Sequence, residues 1–513
     1  MDNLNGMERG GVRLQSLLCD RNVVTELSSD FSLPDYQPEI KRLLGIRAVV
    51  SPADKYIGTG SVEPSGSVEY SILYSGNDGA LYCSRQIGEY RFSVPMELPP
   101  DFEIGEGLIC DVEVLPDAPV GRVAGPRRLC VKCRLRSRVR VWGTRMLGET
   151  VSGADKRTLE RLTGSMDCVE MFIGVGEALH LGDEILNDSG SDLRVISAEA
   201  QAYVSEAMAG SGCVNCRGEV SLKLLCVNDG SDGMPFAQWR RIPFTGSVPT
   251  DGVEVNCSAT ARGVCTDVAV SVEDGRILCE VSLRLEVRAQ RNVTRSYTKD
   301  VYSIASKGET RAARLAYQTA GKCMSGNFSL NTTLSMEEAG LRRGQSVAEL
   351  SLVPMVTELE NDNGRLVLHG KCRCSAVVRG EDEFSVQAFD LPFRYVADGD
   401  VSSLADYDAD VTVITCRARE DGERLSVDAE LAVNILTRGE ASVSVFCEGT
   451  FEEAVDDADF AFTVCYPSRE DTLWSIAKRY RTPISELTQS NPLSGSPVAD
   501  AVDSLAGVKY LLI

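Results

Sequence analysis

Four landmarks recur three times along this chain, always in the same order, and this repetition limits the folds open to it. A tract with a polar start opens each unit: ELSSDFSLPDYQPEIKRLLGI from Glu26, EALHLGDEILNDSGSDLRVIS from Glu177 and NTTLSMEEAGLRRGQSVAELS from Asn331. Next come two alternating runs around a turn cluster: GSVEYSILYSGNDGALYCS from Gly66, GEVSLKLLCVNDGSDGMPFAQ from Gly218 and GKCRCSAVVRGEDEFSVQA from Gly370. Alternating apolar residues around Gly, Asn and Asp predict a β-hairpin. The third landmark is a strand with an internal proline: FSVPMELP from Phe92, RRIPFTGSVP from Arg240 and AFDLPFRYV from Ala388. Proline has no N–H to give a ladder, so each copy belongs at a sheet edge or a strand end.

The fourth landmark is a closing strand pair. Its second members start at Leu129, Ile277 and Arg424. Their inward series are Val131, Cys133, Leu135; Val281, Leu283, Leu285; and Val427, Ala429, Leu431. Period two over such lengths predicts half-buried antiparallel strands. The expected fold class is therefore mainly β: three tandem β-sandwich or partly closed barrel repeats at 23–148, 168–304 and 324–450. Helix-like connectors are expected between them, ADKRTLERLTGS from Ala154 and KGETRAARLAYQTAGK from Lys307. Residues 451–460 hold five acids and no base, which reads as a solvated linker.

Residues 461–513 differ in kind. A strand leads to DTLWSIAKRY, in which Asp471 is placed to cap a helix. Leu473, Ile476, Ala477 and Tyr480 follow at i, i+3, i+4, i+7, one buried helix face. Thr482-Pro483 starts a second helix with Ile484 and Leu487 inward, and Asn491-Pro492 stops it. A strand from Gly507 to Ile513 completes a small α+β, β-α-α-β module.

Composition bounds the function. Hydrophobic residues are 43% and charged residues 25% of the chain, an ordinary globular balance. With 53 cations against 75 anions the net charge is −22, which disfavours nucleic acid or an anionic membrane as the partner of the whole chain. Met1–Gly10 is polar and unlike a secretory leader, and no apolar run approaches the ~20 residues that span a bilayer. A cytoplasmic home and free thiols are therefore expected for the 18 cysteines.

No catalytic constellation emerges. The two histidines, His180 and His369, have no ligand or triad spacing, and no Gly-x-Ser-x-Gly or Walker A run occurs. A non-enzymatic chain without cofactor is expected. Cys130/Cys133 and Cys213/Cys216 could hold zinc. Their pairs lie far apart in sequence, however, and i, i+3 positions on a strand point to opposite faces, so packed thiols are favoured. Asp229–Gly233 hints at a calcium loop, but a hairpin turn explains it and its counterparts equally. Lys132, Arg134, Arg136, Arg138 and Arg140 alternate onto one strand face. They form either a docking face for an acidic partner or a ladder neutralised by carboxylates such as Asp111 and Glu113. Trp474, one of three tryptophans, lies outside the inward stripe and is a candidate interface anchor or rim residue.

DTLWSIAKRYRTPISELTQSNPL resembles a LysM module. The glycine usual before the Asp is Glu470 here. The tract FSLPDYQPEIKRLLGI and the repeated units resemble SPOCS-type repeats. Such repeats followed by a LysM resemble the SipL-type spore-coat morphogenesis family of clostridia and, more loosely, SpoVID-type coat proteins of bacilli. The resemblance implies an assembly adaptor in the mother-cell cytoplasm at the forespore surface, whose LysM docks a SpoIVA-like coat scaffold ATPase. The alternative is a cell-wall protein binding peptidoglycan or N-acetylglucosamine polymers. In either case the resemblance places the binding surface at Asp471, Thr472, Leu473 and Trp474, with Lys478 and Tyr480, opposite Asn491, Pro492 and Leu493. Glu470, replacing a glycine that shapes the groove turn, tips the expectation toward protein.

Overall fold

The computed structural model describes residues 10–58, 60–97, 107–186, 193–228, 234–273, 276–342, 344–380, 383–400, 404–453, 463–491, 505 and 508–513. The first set of strands is β1 (Gly10–Ser32), β2 (Ile40–Val50), β3 (Asp54–Ile57), β4 (Ser61–Gly76), β5 (Leu81–Arg91), β6 (Val94–Pro95), β7 (Ile109–Pro116), β8 (Val120–Gly125) and β9 (Arg128–Ser152). The second is β10 (Leu159–Val175), β11 (Leu179–Leu186), β12 (Leu193–Ala209), β13 (Cys213–Asn228), β14 (Phe236–Pro249), β15 (Ser258–Glu273) and β16 (Arg276–Ser303). The third is β17 (Ser306–Ser335), β18 (Ser346–Asp362), β19 (Arg365–Arg379), β20 (Phe384–Asp400), β21 (Asp406–Asp421) and β22 (Arg424–Glu453). The C-terminal module has β23 (Val464–Cys465), α1 (Leu473–Tyr480), α2 (Ile484–Ser490) and β24 (Leu511–Leu512).

The mainly β expectation holds, with the only two α-helices among the described residues near the C-terminus. In the first lobe, β2 to β6 form one sheet and β1, β7, β8 and β9 another, with Val68, Tyr70, Ile72, Val131 and Leu135 in the core. The second lobe is one curled sheet in the order β10-β16-β15-β12-β13-β14, with β11 also on β16. The third sets β18-β19-β20 beside β21, β22 and β17 around Leu366, Cys372, Val427 and Leu431. Among the described residues no sheet closes into a barrel.

The landmarks map onto this architecture. β4–β5, β13–β14 and β19–β20 are the hairpins. In the first, Gly79 supplies the turn at a φ of 81°, where L side chains are strained. The prolines lie in β6, β14 and β20, each at a sheet edge, where a missing N–H is tolerated. The inward series of β9, β16 and β22 are all buried.

The connectors differ from expectation. From Ala154, only Lys156–Thr158 is helical, one 3-10 turn capped by Asp155, and β10 follows at once. From Lys307 the chain is strand throughout, pairing with β22 along β17. Alanine and arginine give this stretch good helix propensity, but pairing along a 30-residue strand outweighs a preference of tenths of a kcal/mol per residue. The expected linker also begins as strand: Phe451–Glu453 end β22, and Phe451 is buried beside Val301 and Phe446. The rest of 451–460 lies outside the described residues.

The lobes share interiors rather than standing in a row. Leu44 and Leu81, Ile196 and Leu225, and Val377 and Phe384 form one apolar junction with a member pair from each lobe. Val12 and Leu14, Met166 and Tyr297, and Leu315 and Val445 form another. β9 and β22 also join in parallel, Glu448 opposite Thr150.

Two ionic clusters cross the lobe boundaries. Arg140 of β9 meets Asp111 of β7 and Asp408 of β21, and Arg288 of β16 also reaches Asp111, at 3.0 Å. Arg438 binds Asp406 at 2.6 Å and Asp408 at 2.9 Å. In the second cluster, Lys223 of β13 meets Glu349 of β18 and Glu199 of β12, and Arg47 of β2 reaches Glu199 at 2.5 Å. Burial alone would raise Glu199, Asp111, Asp406 and Asp408, but the cations more than reverse it. Arg47 and Lys223 pull Glu199 down to about 2, while Asp111, Asp406 and Asp408 are held below the usual range by Arg140 with Arg288 or Arg438.

Candidate functional site

The C-terminal module folds around Cys465, Leu473, Ile476, Ala477, Leu487, Leu505 and Leu511. β23 and β24 pair antiparallel, completing the expected β-α-α-β order. The N-cap of α1 is Thr472 rather than Asp471. The Thr472 hydroxyl accepts from Ser475 N–H at 3.1 Å and the Ser475 hydroxyl from Thr472 N–H at 2.9 Å, a reciprocal capping box. Asp471 instead closes the preceding turn. It accepts from Ser468 N–H at 2.8 Å and from the Arg479 guanidinium at 2.7 Å, and the two together hold its carboxyl below the usual range.

The second helix also differs in detail. Pro483 stands at its N-cap, and the Thr482 hydroxyl turns back to Tyr480 O instead of capping it. Asn491 is buried at the helix end. Its amide donates to Leu487 O at 2.9 Å and Leu512 O at 2.6 Å, and its oxygen accepts from Leu512 N–H at 2.7 Å. This candidate binding residue is thus a clamp between α2 and β24. Its neighbours Pro492 and Leu493 lie outside the described residues.

Glu470 occupies the turn with an ordinary backbone. Among the described non-glycine residues only Asn363 and Arg481 take positive φ. A side chain at 470 therefore adds no left-handed strain to this turn.

The largest departure is Trp474. It is 6% exposed, neither an outward anchor nor a rim residue, and it is buried together with the inward stripe. Its ring meets Tyr302 edge-on at 4.9 Å between centroids, and its indole donates to Asp300 at 2.9 Å. Lys478 reaches both oxygens of Asp300 at 2.7 Å and the Thr310 hydroxyl at 2.9 Å. Tyr302 donates to Thr482 O at 2.8 Å. Burial would raise Asp300, but the bonds from Lys478 and Trp474 outweigh it and lower the carboxyl. The α1 face of the module is therefore seated on the end of β16 and the start of β17. Asp300, Tyr302 and Thr310 carry no local signal for this role, since a contact between positions 174 residues apart leaves no periodic trace. Tyr480, expected inward, is 38% exposed.

Residues 468–496 match the LysM domain. The LysM match takes in the Ser468–Asp471 turn and both helices, and does not extend to the three β lobes. No curated protein and no solved structure matches the chain. LysM is a binding module, and the family relates it to peptidoglycan and other glycans.

The cationic face of β9 is paired throughout. Lys132 and Arg134 reach Glu26, Arg136 reaches Asp117 at 2.7 Å, and Arg138 reaches Asp20 at 2.6 Å and Asp406 at 2.9 Å. Arg140 is 1% exposed, inside the ionic cluster. A free docking face of five cations is thus corrected to a neutralised ladder that also ties lobe one to lobe three. Asp111 serves Arg140 as expected, while Glu113 faces Arg262 at 3.6 Å.

The remaining candidates stay dispersed. His180 faces Ser282 at 3.1 Å and His369 meets Glu360 at 2.9 Å, both on exposed strand faces. Cys133 and Cys216 are buried while Cys130 and Cys213 are half-buried, as opposite strand faces require. Among the described residues no cluster of three metal-ligating side chains forms. The Asp229–Gly233 loop lies outside the described residues.

Proposed function

We propose that this chain is a non-enzymatic glycan-binding scaffold. The LysM module holds a polymer of N-acetylglucosamine-type sugar such as peptidoglycan, and the three β lobes hold the module in a fixed orientation. The match of residues 468–496 to the LysM domain carries the reading. The ordinary backbone at Glu470 supports it, because the substitution that argued against sugar leaves the turn intact.

The adaptor reading, with a SpoIVA-like coat scaffold as partner, draws on resemblance alone. Trp474, which either reading places on the binding surface, is committed to Asp300 and Tyr302 and favours neither. Co-sedimentation of the full chain with purified peptidoglycan, with chitin and with cellulose tests the choice. Retention on the first two, released by soluble chitin oligomers, is the expected result. A chain that stays in solution with all three overturns the glycan reading, and capture of a coat scaffold ATPase would then favour the adaptor.

A further inference from the structure

The outward face of the two-stranded sheet in the LysM module has no role so far. Val464 pairs with Leu512 and Cys465 with Leu511, while Thr463 and Ile513 exchange backbone hydrogen bonds of 3.4 and 2.8 Å. Side chains alternate along a strand, so Cys465 and Leu511 enter the core and Val464 and Leu512 face out. Tyr466 follows Cys465 and Tyr510 precedes Leu511, just past the end of this ladder. Because Thr463 and Ile513 are a hydrogen-bonded pair, 464/512 is a non-bonded one, where side chains across the ladder lie closest.

All four side chains are open. Tyr466 is 77% exposed, Tyr510 56%, Val464 40% and Leu512 37%. Among the described residues neither tyrosine stacks on another ring or bonds a partner.

We propose that Val464, Tyr466, Tyr510 and Leu512 form a second carbohydrate-binding surface, which stacks pyranose rings of a β-linked N-acetylglucosamine polymer. The proposal rests on the glycan reading given above. A pyranose presents a face of C–H groups, weakly positive and apolar, which complements the negative face of an aromatic ring. The two phenol hydroxyls are free to bond sugar hydroxyls, and the flanking Val464 and Leu512 cover the apolar edge.

Area selects this occupant. The four exposed side chains among the described residues fall short of the roughly 800 Å² per partner that a stable protein interface or a second copy of the chain needs. A repeating glycan tolerates a small contact, because a polymer already held in the groove meets the second surface at high effective concentration.

The test uses the full chain carrying Tyr466→Ser with Tyr510→Ser, and a matched pair carrying Tyr466→Phe with Tyr510→Phe. Two ligands are compared: the soluble N-acetylglucosamine tetramer by calorimetry and insoluble chitin by sedimentation. The serine pair is expected to lose about tenfold or more in affinity for insoluble chitin while its affinity for the tetramer stays within about twofold. The phenylalanine pair, which keeps the rings, is expected to retain most of the chitin affinity. Undiminished chitin binding by the serine pair overturns the proposal. So does a shift in its oligomeric state without loss of chitin binding, which would assign the face to a second copy. Wild type binding neither ligand would be a failure of the glycan reading itself, read from the wild-type arm alone.

Discussion

The indole N–H of Trp474 donates to the carboxylate of Asp300 at 2.9 Å and joins the first helix of the LysM module to the end of β16. Around this bond, Tyr302 covers the ring edge-on and Lys478 neutralises the carboxylate. The module is thereby a seated part of the body rather than a tethered appendage.

Trp474→Ala should therefore act on stability first. Emptying a buried tryptophan site costs about 3–5 kcal/mol and leaves Asp300 without one of its donors. Trp474→Phe keeps most of the packing and should cost less, mainly through the lost hydrogen bond. Urea unfolding of the full chain measures both. Equal midpoints for Trp474→Ala and wild type would mean that the seat contributes nothing.

Arg140 bridges two lobes, so removing its charge should loosen them together. Arg140→Met leaves Asp111 to Arg288 and Asp408 to Arg438, one cation short in a buried site, and breaking a buried pair on one side costs up to about 3–5 kcal/mol. Adding Asp408→Asn should recover part of that loss, since neighbouring effects in one network do not add. Chemical denaturation of both variants reads the difference, and a variant within 1 kcal/mol of wild type would remove the cluster from the account of how the lobes cohere.

Acid should release the same junctions. Glu199, Asp111, Asp406 and Asp408 have folded pKa values below their unfolded ones, Glu199 at about 2. Each therefore binds fewer protons folded than unfolded above its folded pKa. Their contribution is complete above the unfolded carboxyl range of about 4 and falls away as pH drops toward 2. Thermal melts between pH 6 and 2 should show a midpoint that is level at first and falls below about pH 4.5. A midpoint that rises on acidification would contradict the sign of these shifts.

The 18 cysteines are unpaired in the structure, and twelve of them are buried. Burial pushes thiols such as Cys110, Cys216 and Cys279 up to about 11, which keeps them neutral and unreactive at pH 8. A thiol-reactive dye should label a minority quickly in the native protein and the rest only on unfolding. Prompt labelling of all of them would mean that the strands open far more easily than their burial implies.

The strand content was legible because period two survives in any stretch with one wet and one dry face. The series Val131, Cys133, Leu135 and its two counterparts are buried as read, and the proline landmarks fall on sheet edges. The first half of β17 was not legible. Its Ala312, Ala313, Leu315 and Ala316 read as helix, and only the pairing with β22 decides otherwise. The lobe junctions were equally hidden, because Arg140, Arg288 and Asp408 come together from strands far apart in sequence. In the module, apolar spacing and the Pro and Asn signals gave both helices to within a residue or two, while the caps differ: Thr472 and not Asp471 caps α1, and Thr482 does not cap α2. Trp474 was misplaced, because the surface it packs on is Tyr302, outside the window that a helical period can report.

Calorimetric titration of the full chain with the N-acetylglucosamine hexamer tests the central claim most directly. The account predicts saturable binding with a Kd between about 1 μM and 1 mM, which corresponds to roughly −8 to −4 kcal/mol. It also predicts that Glu470→Gly changes that affinity little, since the turn is already unstrained. No heat of binding up to millimolar hexamer, from a chain shown to be folded by its melting transition, would contradict the glycan-binding function.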